Sequence, residues 1–174
     1  MRRIGAVFGS IIFFFIAPFT LAGIVPWSMT QWQVRYPEYA VPLAQVAGAA
    51  IALLGTIFLI DSFARFALKG LGTPAPIFPP KHLVVDGLYR YVRNPMYVGV
   101  VAAILGQALM FASTGLLIYG ALIWLAFNIF VLVYEEPTLR ETFGAEYDEF
   151  CKHVHRWLPR LTPWRGGDGV ATAS

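Results

Sequence analysis

Residues that could do chemistry are concentrated in two stretches of this chain. Residues 82–99 are rich in tyrosine and arginine, and the second stretch is the acidic pair Glu135-Glu136. A guanidinium group can bind a carboxylate or a phosphate, carboxylates can bind hydroxyls or an ammonium group, and tyrosine rings can lie against a cation. The two stretches therefore predict a site for an anionic or zwitterionic ligand.

The composition indicates that these polar stretches lie beside a membrane. Of the 174 residues, 57% are hydrophobic and 13% are charged, whereas soluble domains carry about a quarter charged residues. The length favours a single domain, 1–174. The net charge of +3 does not indicate a nucleic-acid partner, because the basic residues flank apolar stretches instead of forming a basic face.

Four apolar stretches are long enough to be membrane spans, and they predict an all-α integral membrane bundle. They cover about 4–25, 41–60, 95–111 and 116–134. After them, apolar residues recur at helical spacing up to Val154, which predicts an amphipathic cytoplasmic helical cap, broken near Gly144. The tail 166–174 has no apolar pattern and is predicted to be disordered.

The distribution of basic residues orients this bundle. With four spans, Arg35 lies on one side of the membrane and every other Lys and Arg lies on the opposite side, so both termini are predicted to be cytoplasmic. In a bacterium this would be the inner membrane. The short turn 112–115 makes the third and fourth spans a hairpin, so Arg93 and Glu135 should share one neighbourhood at their cytoplasmic ends.

Small residues on two spans predict close contact between helices. They are Ala44, Gly48 and Ala52 on the second span, and Gly99, Ala102, Ala103 and Gly106 on the third. Pro95 should start the third span, because proline suits a first helical turn and disfavours helical geometry at the preceding residue, Asn94.

Several individual residues remain open to two interpretations. One of Glu135 and Glu136 is expected to face the ligand and the other solvent, since adjacent helical residues point about 100° apart. Asn128 lies on the same face as Glu135 and is either a substrate contact or a hydrogen bond between helices. The pattern Cys151-x-His153-x-His155 does not predict a metal site, because alternate helical residues diverge.

Two motifs resemble the isoprenylcysteine carboxyl methyltransferase and phospholipid methyltransferase families. The first comprises His82, Gly87, Tyr89, Arg93, Asn94, Pro95, Tyr97 and Gly99, with Asn94 where histidine is common. The second comprises Glu135, Glu136, Pro137, Leu139, Phe143, Gly144, Glu146, Tyr147, Val154, Arg156 and Pro159. Together they cover residues 82–160.

The resemblance implies a membrane methyltransferase that uses S-adenosylmethionine, with module 82–160 enclosing the cofactor between helix ends and the cap. The cofactor-binding residues carried over by position are His82, Tyr89, Arg93, Asn94, Tyr97, Glu135 and Glu136. Arg93, Glu135 and His82 are the expected catalytic residues, with His82 as the base if the acceptor is an amine or a thiol. The acceptor would be lipidic or amphipathic, such as a prenylcysteine carboxylate, a phospholipid amine or a thiol. The sequence does not identify it, and it leaves the oligomeric state open.

Two other functions fit parts of the same pattern. The sterol reductase family has a similar carboxyl-terminal module but binds NADPH, and its chains are much longer. A non-catalytic membrane subunit or small transporter should carry polar residues at mid-membrane, where this chain has Gln107 and Asn128. Binding of S-adenosylmethionine or of NADPH distinguishes the two enzymes.

Overall fold

The computed structural model describes residues 15–34, 42–69, 83 and 85–165, and within these ranges the protein is all-α, with no β-strand. The all-α prediction is confirmed for this part of the chain. The beginning of the predicted first span, the segment 35–41, His82 and the predicted disordered tail lie outside the described residues.

The described residues form α-helices, two π-helical turns and one 3₁₀ turn. In chain order they are a π-helical turn Thr20–Ile24, α1 Val25–Thr30, α2 Pro42–Lys69, a 3₁₀ turn Gly87–Arg90, α3 Pro95–Met110, α4 Thr114–Phe130, a second π-helical turn Val131–Glu135, α5 Glu136–Phe143 and α6 Ala145–His153. Gly144 has a φ of 52°, which suits glycine and separates α5 from α6 at the predicted break.

Two of the helices are long and apolar enough to cross a membrane. They are Leu43–Arg65 and Thr114–Phe143, the second of which combines α4, the π-helical turn and α5. Helix α3 is apolar but shorter, and its 16 residues rise about 24 Å.

Two helices continue past the predicted ends of their membrane spans. The fourth span was predicted to end at about Tyr134, and its helix continues to Phe143. The first span was predicted to end at about Val25, and its helix continues to Thr30, where Gln31 takes a left-handed φ of 49°. In both helices a π-helical turn comes just before a proline, Pro26 or Pro137, and the proline has no N–H to donate to the carbonyl of the preceding turn.

Helices α2 and α3 pack with their backbones in near contact at glycines. A Cβ placed on Gly48 would lie 2.7 Å from the carbonyl oxygen of Gly106, and one on Gly55 would lie 2.7 Å from that of Gly99. These distances leave no room for a side chain. The prediction that the small residues serve helix packing is confirmed.

The segment before α1 packs on this pair through its irregular turn. The N–H of Val25 bonds to Thr20 O and bypasses Leu21 O, and Pro26 has no N–H for Ala22 O. Both carbonyls are bound by side chains instead: Tyr119 Oη donates to Leu21 O at 3.1 Å, and Gln107 Nε2 donates to Ala22 O at 2.7 Å. Gln107 is therefore a packing residue.

A second core lies in the carboxyl-terminal part of the chain. Its buried residues are Tyr147, Phe150, Val154 and Trp164, drawn from α6 and the irregular segment that follows. This segment runs back over the start of α3: Arg93 N donates to His155 O at 2.9 Å, and Arg160 N donates to Tyr91 O at 2.8 Å. The cap therefore covers the polar stretch that precedes α3.

Candidate functional site

The site is built where α3 begins and α4 gives way to α5. Helix α3 starts at Pro95, and Asn94 before it has non-helical angles of φ −118° and ψ 57°, as the proline predicts.

At the other end of the hairpin, Ser113 Oγ accepts a hydrogen bond from Leu116 N at 3.3 Å and caps α4. The hairpin brings Tyr97 beside Glu135, and Tyr97 Oη donates to Glu135 Oε2 at 2.8 Å.

Glu136 is held by two arginines, which we call the arginine–glutamate cluster (Arg93, Glu136 and Arg156). Arg93 Nη1 lies 3.0 Å from Glu136 Oε1, and Arg156 donates to the two oxygens of Glu136 at 2.6 and 2.9 Å. The Glu136 side chain is 6% exposed and the Arg93 side chain 12%. The hydrogen bond to Glu136 raises the pKa of Arg156. The cluster ties the cap to both helix ends.

Arg93 makes a further contact to the cap. Its Nη1 lies 2.8 Å from Cys151 Sγ, whereas its Nε is buried and has no hydrogen-bond partner among the described residues. Asn94 Nδ2 donates to Arg156 O at 3.3 Å. Both residues were predicted to bind the cofactor, and the structure ties both to the carboxyl-terminal segment.

The expectation that one acidic residue faces solvent is wrong. Glu136 is buried and Glu135 is half-buried; Glu135 bonds to Tyr97 of α3, and Glu136 bonds to Arg93, two residues before α3. The helix continues past the pair instead of ending there, and the segment after α6 folds back over it. Arg93 was predicted to share one neighbourhood with Glu135, and its salt bridge is to the adjacent residue, Glu136.

Aromatic rings surround the Tyr97–Glu135 pair. The Tyr97 ring lies 4.6 Å from the Phe127 ring, centroid to centroid. Tyr89 is buried in the 3₁₀ turn. Burial raises the pKa of Tyr89 above its usual range, and the negative charge of Glu135 raises it further. Tyr89 therefore stays protonated beside that carboxylate.

The 3₁₀ turn is fixed to the end of α2 through Arg65. This guanidinium lies 2.7 Å from Asp61 and 3.5 Å from Asp86, and Asp86 Oδ1 accepts a hydrogen bond from Gly87 N. Gly87 has a φ of 55°, and a Cβ there would overlap the Arg65 side chain. Glycine is therefore required at this position.

Within the described part of the chain, the hydrogen-bond partner of the Asn128 side chain lies in the segment after α6. Trp157 Nε1 donates to Asn128 Oδ1 at 3.0 Å, and the Trp157 ring lies 6.4 Å from the Trp124 ring. Neither of the two interpretations offered for Asn128 anticipated this partner.

The structure brings together most of the predicted site residues: Tyr89, Arg93, Asn94, Tyr97, Glu135 and Glu136. His82 lies outside the described residues. Sequence reasoning missed Arg156 and Trp157 as members of this region. Arg156 was available in the carboxyl-terminal motif, next to a proline-containing segment that can turn back, whereas a single tryptophan such as Trp157 carries no comparable signal.

The polar groups present fit a zwitterionic ligand that also carries hydroxyls. A carboxylate has about four lone-pair positions, so Glu135 can accept hydrogen bonds beyond the one from Tyr97. The buried Nε of Arg93 is a donor still without an acceptor. The rings of Tyr97 and Phe127 offer apolar faces to a cation or a planar group.

Comparison with known proteins gives a consistent result. The family model described as phospholipid methyltransferase matches residues 43–146, which include Arg93, Tyr97 and the acidic pair. Arg156 lies beyond the match.

Three relatives illustrate the similarity. Methanethiol S-methyltransferase 1 of Bradyrhizobium diazoefficiens is 33% identical over 77% of this chain and 46% of its own length. Protein-S-isoprenylcysteine O-methyltransferase of Schizosaccharomyces pombe is 36% identical over 45% of this chain and 34% of its own. Human phosphatidylethanolamine N-methyltransferase is 33% identical over 64% of this chain and 56% of its own. The chain thus spans about half, or less, of the length of these relatives. No solved structure matches the chain.

Proposed function

Because the chain belongs to the phospholipid methyltransferase family, we propose that it is a membrane-embedded methyltransferase that uses S-adenosylmethionine. The observation that carries the proposal is the Tyr97–Glu135 pair, which lies within the family-matched residues beneath a cap held by buried charges. The names of the relatives support methyltransferase activity and do not favour a reductase.

The proposed arrangement has four spans, with both termini and the cap in the cytoplasm. The helices Leu43–Arg65 and Thr114–Phe143 supply two of the spans, and α3 with the segment before α1 supplies the others. Arg93 and the acidic pair then lie at the cytoplasmic face, where a soluble cofactor arrives and where basic side chains are favoured.

We propose different roles for Glu135 and Glu136 within the site. Glu136 has both oxygens bound by arginines, so it positions Arg93 and holds the cap. Glu135 and Tyr97 are the pair available to a ligand, with Tyr89 and Asn94 beside them. Arg93 contributes its unpaired Nε. His82 is proposed as the base for an acceptor that must lose a proton.

The chemistry required of these residues is mainly alignment. When bound, S-adenosylmethionine supplies a methyl carbon on a positively charged sulfur, open to in-line attack by a lone pair. Glu135 would bind ligand ammonium or hydroxyl groups, the rings of Tyr97 and Phe127 would lie against a cationic or planar part, and the cap would exclude water. Holding two reactants in line removes much of the entropic part of the barrier.

The acceptor is proposed to be lipidic or a small amphipathic molecule. The relatives act, by their names, on methanethiol, on isoprenylcysteine and on phosphatidylethanolamine. By these names the methylated atoms are a sulfur, an oxygen and a nitrogen, so the shared feature is a nucleophilic atom with a lone pair, and we propose that it reaches the site from the membrane face. Asn128, bound by Trp157, is placed on that face as the proposed substrate contact.

Calorimetric titration of the purified protein in nanodiscs tests the cofactor. S-adenosylmethionine should bind with saturable heat, and NADPH should not. Binding of NADPH alone would contradict the proposal and favour the reductase.

The reaction is then tested with a radiolabelled methyl group. Wild-type protein is incubated with labelled S-adenosylmethionine and, separately, a prenylcysteine, a phosphatidylethanolamine and a short thiol. We expect label in one acceptor class, with loss of transfer in Glu135→Gln. If the protein bound S-adenosylmethionine but transferred no label to any of the three acceptors, the proposed acceptor class would be contradicted and the proposed cofactor would stand.

A further inference from the structure

The segment after α6 extends along α4, past the level at which Glu135 ends the second π-helical turn. Trp157 binds Asn128, which lies about two helical turns, or about 10 Å, before Glu135. If Glu135 lies at the cytoplasmic face, as the proposed function requires, Trp157 lies below that face, beside the apolar part of the helix. The neighbouring Trp124 is itself exposed on that helix.

The residues next to Trp157 leave their apolar side chains uncovered. Leu158 is 73% exposed and Leu161 is 100% exposed. Exposed leucines at this level are costly in water, since burying one side chain is worth roughly 1.5 to 3 kcal/mol. Trp157, the residue before Leu158, lies against the exposed apolar surface of α4: its ring centroid is 6.4 Å from that of Trp124.

Part of the backbone of this segment is bound by other protein groups. Arg160 N donates to Tyr91 O at 2.8 Å, and Trp164 N donates to Arg90 O at 2.9 Å. Two side chains add bonds to carbonyls: Arg90 Nε donates to Trp164 O at 2.6 Å, and Arg160 Nη1 donates to His153 O at 2.7 Å. Pro159 and Pro163 have no N–H to satisfy. Protein groups that bind an irregular backbone lower the cost of placing it beside acyl chains.

We propose that Trp157, Leu158 and Leu161 form a lipid-contact edge that inserts among the acyl chains of the cytoplasmic leaflet. Trp157 provides the amphipathic ring typical of the interface, with its N–H bound by Asn128. The cap is thereby fixed to the membrane as well as to the helix ends. Lipid is the occupant that the observations favour, because Trp157 is held against α4 by Trp124 and Asn128, on a helix that faces lipid in the proposed topology.

Spin labels at single cysteines test this edge. In a Cys151→Ser background reconstituted in liposomes, Leu158→Cys and Leu161→Cys are labelled, and collisions with oxygen, which enriches in lipid, are compared with collisions with a water-soluble nickel complex. Two positions are controls: Leu122→Cys, exposed on α4, and Glu146→Cys, exposed on α6. Retained helical circular dichroism verifies the fold of each variant.

We expect the labels at 158 and 161 to resemble the one at 122, with a several-fold higher ratio of oxygen to nickel collisions than the label at 146. A ratio equal to that at 146 would place the edge in water and overturn the proposal. Labels shielded from both reagents would indicate a second protein copy over the edge and would overturn it too. A water-like ratio at 122 would instead contradict the proposed membrane topology, so the two failures are distinguishable.

Discussion

Two helices of this protein contain the same irregularity, a π-helical turn followed by a proline. The turns are Thr20–Ile24 before Pro26 and Val131–Glu135 before Pro137. In each, the residue before the proline donates to the carbonyl five residues earlier, Val25 to Thr20 and Glu136 to Val131. The two turns differ in the contacts that neighbouring side chains make with them.

The first turn is used for packing. Its bypassed carbonyls accept hydrogen bonds from Gln107 and Tyr119, and this joins the amino-terminal segment to α3 and α4. The second turn presents Glu135 to Tyr97 and leads directly to Glu136, which takes two arginines. The π-helical turn thus contributes to helix packing at Thr20–Ile24 and positions acidic side chains at Val131–Glu135. Changes at the first turn should therefore alter stability alone.

The largest loss of stability is expected from Glu136→Ala. Removing this carboxylate leaves the nearly buried Arg93 without its counter-charge, and the free energy of unfolding should fall by roughly 3 kcal/mol. Denaturant titration in detergent micelles, followed by circular dichroism, measures it. Glu149→Gln, which removes an exposed pair with Lys152, is the matched control and should be neutral. A neutral Glu136→Ala would show that the cluster does not hold the cap.

A smaller loss is expected from Gln107→Leu. The substitution keeps the size and removes the donor to Ala22 O, so an unpaired carbonyl remains between helices at a cost of about 1 to 2 kcal/mol. The same titration measures the loss. Calorimetry should find the affinity for S-adenosylmethionine unchanged. A large fall in that affinity would contradict the conclusion that the first turn serves packing alone.

The smallest loss is expected from Tyr119→Phe. Only the hydroxyl that donates to Leu21 O is removed, and the ring stays in the core, so about 1 kcal/mol should be lost. Combining it with Gln107→Leu tests whether the two carbonyls are bound as a unit. Strict additivity of the two losses would indicate that they are independent.

Local chemistry made part of the fold predictable. Pro95 predicts the start of α3 and the non-helical Asn94, because proline restricts itself and its predecessor. Gly144 predicts the break between α5 and α6. The glycines of α2 and α3 predict close backbones because small residues at helical spacing have little other use in lipid.

The missed features depend on where distant segments come to lie. The change from apolar to polar residues after Tyr134 predicts the end of the fourth span there, and nothing local reveals that a π-helical turn carries the helix on to Phe143. Whether Arg93 meets Glu135 or Glu136 depends on a rotation of about 100° that this turn decides. The approach of Arg156 and Trp157 requires the chain to reverse after α6, which helical periodicity does not encode.

The most direct test of the account is the affinity of Glu135→Gln for S-adenosylmethionine, measured by calorimetry in nanodiscs beside wild type and Gln107→Leu. The glutamine side-chain oxygen can still accept a hydrogen bond from the Tyr97 hydroxyl group, so the fold should be retained. Loss of a charged hydrogen-bond partner should cost roughly 1.5 to 3 kcal/mol, or about ten- to a hundred-fold in affinity, while Gln107→Leu binds like wild type. Equal affinity in all three proteins would contradict the assignment of Glu135 to the cofactor site.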